Sequence, residues 1–138
     1  MANPFGYAVV QTDNAGTWFT DGYVSIGATG APTYSNVPSG IVNSIVRNST
    51  GNYSIILNSA WYALLYPHVV SVIPSSLSPA YVSCQIVSST VGNKAVLPKN
   101  AGGAGQAVVV QFNVAGTPTE LPSGSGFDFF LHLKQSSA

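Results

Sequence analysis

The sequence predicts an all-β protein: an antiparallel β-sandwich or a jelly-roll-like barrel, with an N-terminal arm or hairpin and at most one short helix. Runs of β-forming residues recur at short intervals along the 138 residues, and Gly, Pro and Ser separate them. Two of the longer runs alternate apolar and polar residues with a period of two, as half-buried strands do. The length fits one domain with its own core.

The first forty residues predict a hairpin followed by an irregular stretch. Residues 18–20 and 23–25 flank Asp21-Gly22, a dipeptide that favours a two-residue hairpin turn because both turn positions need positive φ. Residues 27–40 are rich in glycine and proline and show no sustained pattern. We therefore expect residues 1–40 to form an N-terminal arm or hairpin region that leads into a β-sandwich domain over residues 41–138.

The middle of the chain predicts further strands and one candidate helix. Residues 41–47 and 53–57 are β-rich and are joined by turn formers at 48–52, which predicts a hairpin. Residues 69–73 and 81–87 predict two more strands, and 91–97 a further short one. Residues 60–66 end at Pro67 and have some helical spacing, but about seven residues are marginal for a helix. Helix or 3₁₀ turn and loop therefore stay open as equal alternatives there.

The last third of the chain holds the two clearest strands. Residues 106–114 alternate, and so do residues 127–134. One face of each strand should enter the core while the other meets solvent or a partner. The predicted core-facing residues are Val108, Val110, Phe112 and Val114 of the first strand and Phe127, Phe129, Leu131 and Leu133 of the second; Asp128, Phe130, His132 and Lys134 take the opposite face of the second.

Charged residues make up only 6% of the chain and the net charge is zero, against roughly a quarter charged in an ordinary domain. Net charge near zero promotes association. Such a surface suits permanent contact with other subunits or a neutral ligand. Four basic residues cannot supply the phosphate contacts of a nucleic-acid site, and the most apolar stretch is too short to span a membrane.

The titratable residues do not form a catalytic motif. No two acids have a motif spacing, and Asp128 and His132 on one predicted strand would lie roughly 13 Å apart. Cys84, His68 and His132 lack metal-site spacing, and a lone cysteine in an alternating run is typical of a small buried residue. We therefore expect no enzyme activity, no cofactor and no metal site.

Aromatic residues are the most conspicuous side chains. They crowd the Asp21-Gly22 dipeptide and the candidate helix, and one lies on the polar side of the last strand. Three roles stay open for them: core packing, subunit contact, since Tyr and Trp are favoured at interfaces, or stacking on sugar rings. The candidate interface residues are Trp18, Phe19, Tyr23, Trp61, Tyr62, Tyr66 and Phe130.

Residues 44–57, Ser-Ile-Val-Arg-Asn-Ser-Thr-Gly-Asn-Tyr-Ser-Ile-Ile-Leu, resemble a pattern of small β-sandwich proteins in tailed-bacteriophage virions. There, a strand containing arginine is followed by a Gly-x-Tyr turn and a strand that ends in leucine. The domain closes with an alternating strand ended by lysine and a Ser-rich tail, here residues 127–137. The resemblance covers residues 41–138 and leaves residues 1–40 unmatched.

The resemblance implies a capsid decoration or cement protein, or a head-fibre component, that acts as a homo-oligomer. It implies a trimer, contact with the major capsid protein or another virion protein, synthesis in the host cytoplasm and location in the virion. It supplies no catalytic residue. The alternative is a receptor- or glycan-binding module of a phage fibre, which the aromatic clusters and the uncharged surface favour.

Overall fold

The protein is an all-β sandwich, as the sequence predicts. The structure, a computed structural model, describes residues 7–12, 15–34, 40–79 and 82–135. Two short 3₁₀ turns, Ala28–Gly30 and Lys99–Ala101, interrupt the loops. The described ranges contain ten strands: β1 (Tyr7–Thr12), β2 (Ala15–Ile26), β3 (Pro32–Thr33), β4 (Val42–Ser49), β5 (Asn52–Leu57), β6 (Ala63–Val72), β7 (Ser83–Ser89), β8 (Ala107–Val114), β9 (Thr117–Pro118) and β10 (Gly126–Lys134).

The strands form two antiparallel sheets. Sheet A has the order β1-β2-β10-β6, with the short β3 paired to β2. Sheet B has the order β4-β5-β8-β7, with β9 paired to β8. The chain crosses between the sheets four times, from β3 to β4, from β5 to β6, from β6 to β7 and from β9 to β10. Sequence neighbours therefore often lie in opposite sheets, and β10 joins two strands that are distant in sequence.

The core lies between the inner faces of the two sheets. The rings of Tyr53, Phe112 and Phe127 meet there with centroid separations of 5.2 to 6.1 Å. Tyr53 and Phe112 come from sheet B and Phe127 comes from sheet A, so the rings join the sheets. The alternation predicted for β10 is confirmed, because Phe127, Phe129, Leu131 and Leu133 are all buried. In β8, Val108, Val110 and Phe112 are buried, whereas Val114 at the strand end is exposed.

The predicted hairpin over residues 41–57 is confirmed. β4 and β5 pair antiparallel, and Thr50 and Gly51 connect them. Gly51 has φ of 64°, a left-handed conformation that favours glycine. The backbone carbonyl of Thr119 also lies close to the position of a Cβ there.

The predicted hairpin turn at Asp21-Gly22 is wrong, because both residues lie in the middle of β2. Asp21 pairs with Phe130 and Gly22 with Phe129 in an unbroken antiparallel register. A continuous ladder along β10 outweighs a two-residue turn preference. As a result, residues 15–26 contribute an inner strand to sheet A. The predicted division of the chain into an arm region and a domain at residue 40 stays a prediction.

Two other local predictions are also wrong. Residues 63–66 of the candidate helix belong to strand β6, and Pro67 lies within that strand opposite Leu131. An edge strand such as β6 tolerates proline because one side of it has no ladder to supply. Residues 91–97 form turns rather than a strand, with Asn93 N–H donating to the Thr90 carbonyl. The strand predicted at residues 81–87 corresponds to β7. Residue 81 and the Ser-rich tail after residue 135 lie outside the described residues.

Candidate interaction surface

The outer face of sheet A carries the most distinctive set of side chains on the molecule. It consists of the residues of β2, β10 and β6 that alternate with the buried ones and point away from the core. Because the three strands are paired in register, these side chains form rows across the sheet. The rows are Tyr23, Asp128 and Val70; Asp21, Phe130 and His68; and Phe19, His132 and Tyr66.

Ring contacts organise the middle of this face. The Phe19 and Phe130 rings stack with centroids 5.3 Å apart, and the His132 ring lies 4.3 Å from Phe19. On β6, the rings of Tyr66 and His68 lie 6.3 Å apart and within 15° of parallel. The result is a continuous, largely aromatic platform across three strands.

The strand at the edge of the platform is the most exposed part of it. Tyr66 is 55% exposed, Val70 44% and Val72 40%. Leu65, at the irregularity in the pairing of β6 with β10, is also exposed. Exposed apolar residues that adjoin one another on one sheet edge make this strand a candidate interaction site.

The charges of the outer face are separated along β10. Asp128 lies near the Gly126 end and Asp21 lies opposite Phe130 in the middle, whereas Lys134 lies at the other end with its ammonium 5.8 Å from the centre of the Tyr62 ring. Partial burial raises the pKa of Asp21, and the negative charge of Asp128 adds to that rise. The carboxylates thus lie between the Gly126 end and the middle of the face, and the ammonium lies at the opposite end.

Tyr23 closes the Gly126 end of the platform. Its ring and hydroxyl lie over Gly126, so that a side chain at position 126 would collide with them. A glycine opposite an aromatic residue on a neighbouring strand is a known way of pinning strand register.

The predicted interface residues separate into two groups. Phe19, Tyr23, Tyr66 and Phe130 lie on the outer face of sheet A, and Tyr62 lies beside its Lys134 end. Trp18 and Trp61 instead pack against the core at the opposite side of the sheet, with their rings edge to face at 6.0 Å. The sequence missed His68 and Val70 as members of the face; the β-rich run at residues 69–73 was the available signal for Val70.

The two tryptophans line a cavity of about 240 Å³ at one end of the sandwich. Trp61 is held there by Gln106, whose buried amide accepts a hydrogen bond from Trp61 N–H at 2.8 Å and donates one to its carbonyl at 3.1 Å. Trp18 Nε1–H donates to Gln135 Oε1 at 3.2 Å. The remaining lining residues are Gly40, Ile41, Ser59 and Ala60.

A second polar cluster ties the β4–β5 hairpin to the loop before β10. Arg47 donates to Glu120 through Nε at 3.0 Å and through Nη2. The other Glu120 oxygen accepts from Gly51 N–H at 3.1 Å and from the Tyr53 hydroxyl at 3.3 Å. Partial burial acts to raise the pKa of Glu120, but Arg47 and these donors outweigh it and the pKa is lowered. Every group is used within the cluster, which indicates a structural role.

The remaining reactive groups do not form a site. Burial raises the pKa of the Cys84 thiol to about 11, which keeps it protonated at neutral pH. No group of three or more His, Cys, Asp or Glu side chains comes together in the part of the chain that the structure describes. The same part contains no helix long and apolar enough to cross a membrane.

Comparison with known proteins identifies no family. No family model, no curated protein and no solved structure matches the chain. The resemblance to phage virion proteins therefore stays a prediction.

Proposed function

We propose that this protein is a non-enzymatic structural subunit of a tailed-bacteriophage virion, a decoration, cement or head-associated protein that acts as a homo-oligomer. The observation that carries the proposal is the exposed aromatic and apolar outer face of sheet A on a chain with 6% charged residues. Covering such a face is favourable by about 25 cal/mol per Å² of buried apolar area, before the costs of association are subtracted.

The chemistry of the face favours binding over catalysis. Its two carboxylates, Asp21 and Asp128, are neighbours of like charge on an open sheet surface. A catalytic pair acts in a site that excludes water and holds the substrate between the groups. An open, largely aromatic sheet surface with few charges instead has the composition of the centre of a protein interface.

The proposal is tested in two steps. Light scattering after gel filtration, from low to high micromolar concentration, should give a homo-oligomer. Labelled protein should then co-sediment with the virions whose genome encodes it. A monomer at every concentration that also fails to bind these particles would contradict the proposal.

Binding of a neutral glycan is the second candidate, and one observation favours it. Tyr66 and His68 are exposed, nearly parallel rings at the edge of the sheet, and sugar rings stack on such surfaces. A glycan array should then show binding that Tyr66→Ala abolishes, while Tyr34→Ala, a change of another exposed tyrosine outside sheet A's platform, leaves it intact. An array without any bound glycan would exclude this candidate.

A further inference from the structure

We infer that two copies of this chain pack with the outer faces of sheet A against each other, about a two-fold axis that lies between the sheets and crosses β10 at right angles near Leu131. The inference rests on the proposed homo-oligomer and names its partner surface. It uses charge and ring placement on three strands of known register.

The charges on β10 select this axis. Asp128 and Lys134 are six residues apart, about 20 Å along the strand, and Leu131 is midway between them. Rotation about an axis perpendicular to β10 places Asp128 of one copy opposite Lys134 of the other, twice. Rotation about an axis parallel to β10 would place Asp128 opposite Asp128 and Lys134 opposite Lys134, and like charges facing each other cost several kcal/mol.

The same rotation also pairs the rings. Phe130 of one copy comes opposite His132 of the other, because both lie one position from Leu131 on the outward side. On β6, Tyr66 pairs with His132 and His68 with Phe130 within one copy, so Tyr66 comes opposite His68 of the second copy. On β2, Phe19 comes opposite Asp21 of the second copy. The rows of Phe130 and His132 thus exchange places, as an isologous two-fold interface requires.

The size of the face is consistent with a dimer that dissociates on dilution. Three strands about 4.8 Å apart and β10 at about 3.3 Å per residue outline on the order of 450 Å² in projection. A standard interface buries roughly 800 Å² of accessible surface per partner, and the accessible area of protruding side chains exceeds their projection. We therefore expect a micromolar rather than a permanent dimer unless further contacts join the same two copies.

Charge reversal tests the axis. Asp128→Lys and Lys134→Asp should each raise the dissociation constant, measured by sedimentation equilibrium, by roughly tenfold or more. The double variant Asp128→Lys/Lys134→Asp should restore association, because each reversed charge again meets its opposite in the second copy. Lys94→Asp, which makes the same charge change on an exposed loop, is the matched control and should leave association unchanged.

Cross-linking tests the geometry independently of charge. In a Cys84→Ser background, Asp128→Cys/Lys134→Cys should give covalent dimers with a bis-maleimide that spans about 10 Å, the spacing of packed sheets. Asp128→Cys alone should not, since the two copies of residue 128 would be about 22 Å apart. Circular dichroism should show that each variant keeps the fold.

Three outcomes would overturn the inference. A trimer, or an oligomer whose association none of the reversals changes, would refute the two-fold interface and leave the proposed homo-oligomer standing. Failure of the double reversal to restore association, together with no covalent dimer, would do the same. A monomer at all concentrations would refute the two-fold interface, and only a monomer that also fails to bind the virions would refute the proposed function as well.

Discussion

Gln106 provides the sharpest test of how the sandwich is held together. This side chain is 1% exposed, and its amide makes both hydrogen bonds to the backbone of Trp61. It thereby acts as one extra rung of a β-ladder where the chain leaves β5 and approaches β6. Gln106→Leu keeps a similar volume but leaves a buried donor and a buried acceptor of Trp61 without partners.

The cost follows from those two groups. Each buried polar group left without a partner costs about 1–3 kcal/mol, so the free energy of unfolding should fall by about 2–6 kcal/mol for the two groups. That is a large fraction of the roughly 5–15 kcal/mol by which domains are stable. Because Trp61 contacts Trp18 at 6.0 Å, its fluorescence should report the loosened contact in the folded state.

Urea denaturation followed by circular dichroism and by tryptophan fluorescence measures the change. Gln85→Leu makes the same chemical change at an exposed position on β7 and should alter stability by less than about 0.5 kcal/mol. If Gln106→Leu were as stable as Gln85→Leu, the two backbone bonds would not hold Trp61, and the reasoning would fail.

Three further changes test the core and the polar cluster. Thr20→Val removes a buried hydroxyl that has no hydrogen-bond partner. The free energy of unfolding should therefore rise by about 1 kcal/mol, seen as a higher urea midpoint. Tyr53→Phe leaves the Gly30 carbonyl without the hydroxyl that donates to it at 2.7 Å, so stability should fall by about 1–2 kcal/mol. The pKa of Glu120 is lower in the folded protein than in the unfolded chain. The ionised carboxylate therefore stabilises the fold fully at pH values above the unfolded-state pKa, and this contribution is lost as the pH falls through the folded-state pKa. Glu120→Gln should therefore lose less stability than the wild type below about pH 4.5.

The fold class could be predicted because the strongest sequence signals are periodic and extend over many residues. β8 and β10 alternate over whole strands, and each alternating residue adds an independent reason for one face to be buried. The β4–β5 hairpin was equally predictable, because two β-rich runs flank a glycine that takes the left-handed conformation. These signals are local to one strand or one turn.

The errors arose where a short local preference met a long-range ladder. Asp21-Gly22 favours a turn in isolation, but β2 pairs with β10, more than one hundred residues later, across this dipeptide. Residues 60–66 have helical spacing at three positions, but the same stretch leads into an edge strand beside β10. Pairing partners at such separations leave no mark in a local window, so the tertiary ladder decides the structure.

The part of the candidate surface that lies on β10 could be predicted from local alternation, whereas the part that depends on pairing between strands could not. The alternation of β10 indicated that Asp128, Phe130, His132 and Lys134 share a face, and the structure confirms it. The predicted aromatic cluster around Asp21 instead divides, because neighbouring residues of a strand point to opposite faces. Trp18 turns to the core side, whereas Phe19 joins the platform. Only the pairing of β6 with β10 brings Tyr66 and His68 beside it.

The two outer faces of the sandwich carry different kinds of side chain. On sheet B, amide and hydroxyl side chains bond to one another: Asn52 donates to Gln111 at 2.9 Å, and Asn48 donates to Ser54 at 2.8 Å. Such groups stay hydrated at little cost, and covering them gains little. Sheet A presents rings, exposed aliphatic side chains and separated charges, which gain from being covered. We therefore propose that association proceeds through sheet A, whereas sheet B, which exposes Val46 and Val87 among its polar side chains, gains less from being covered.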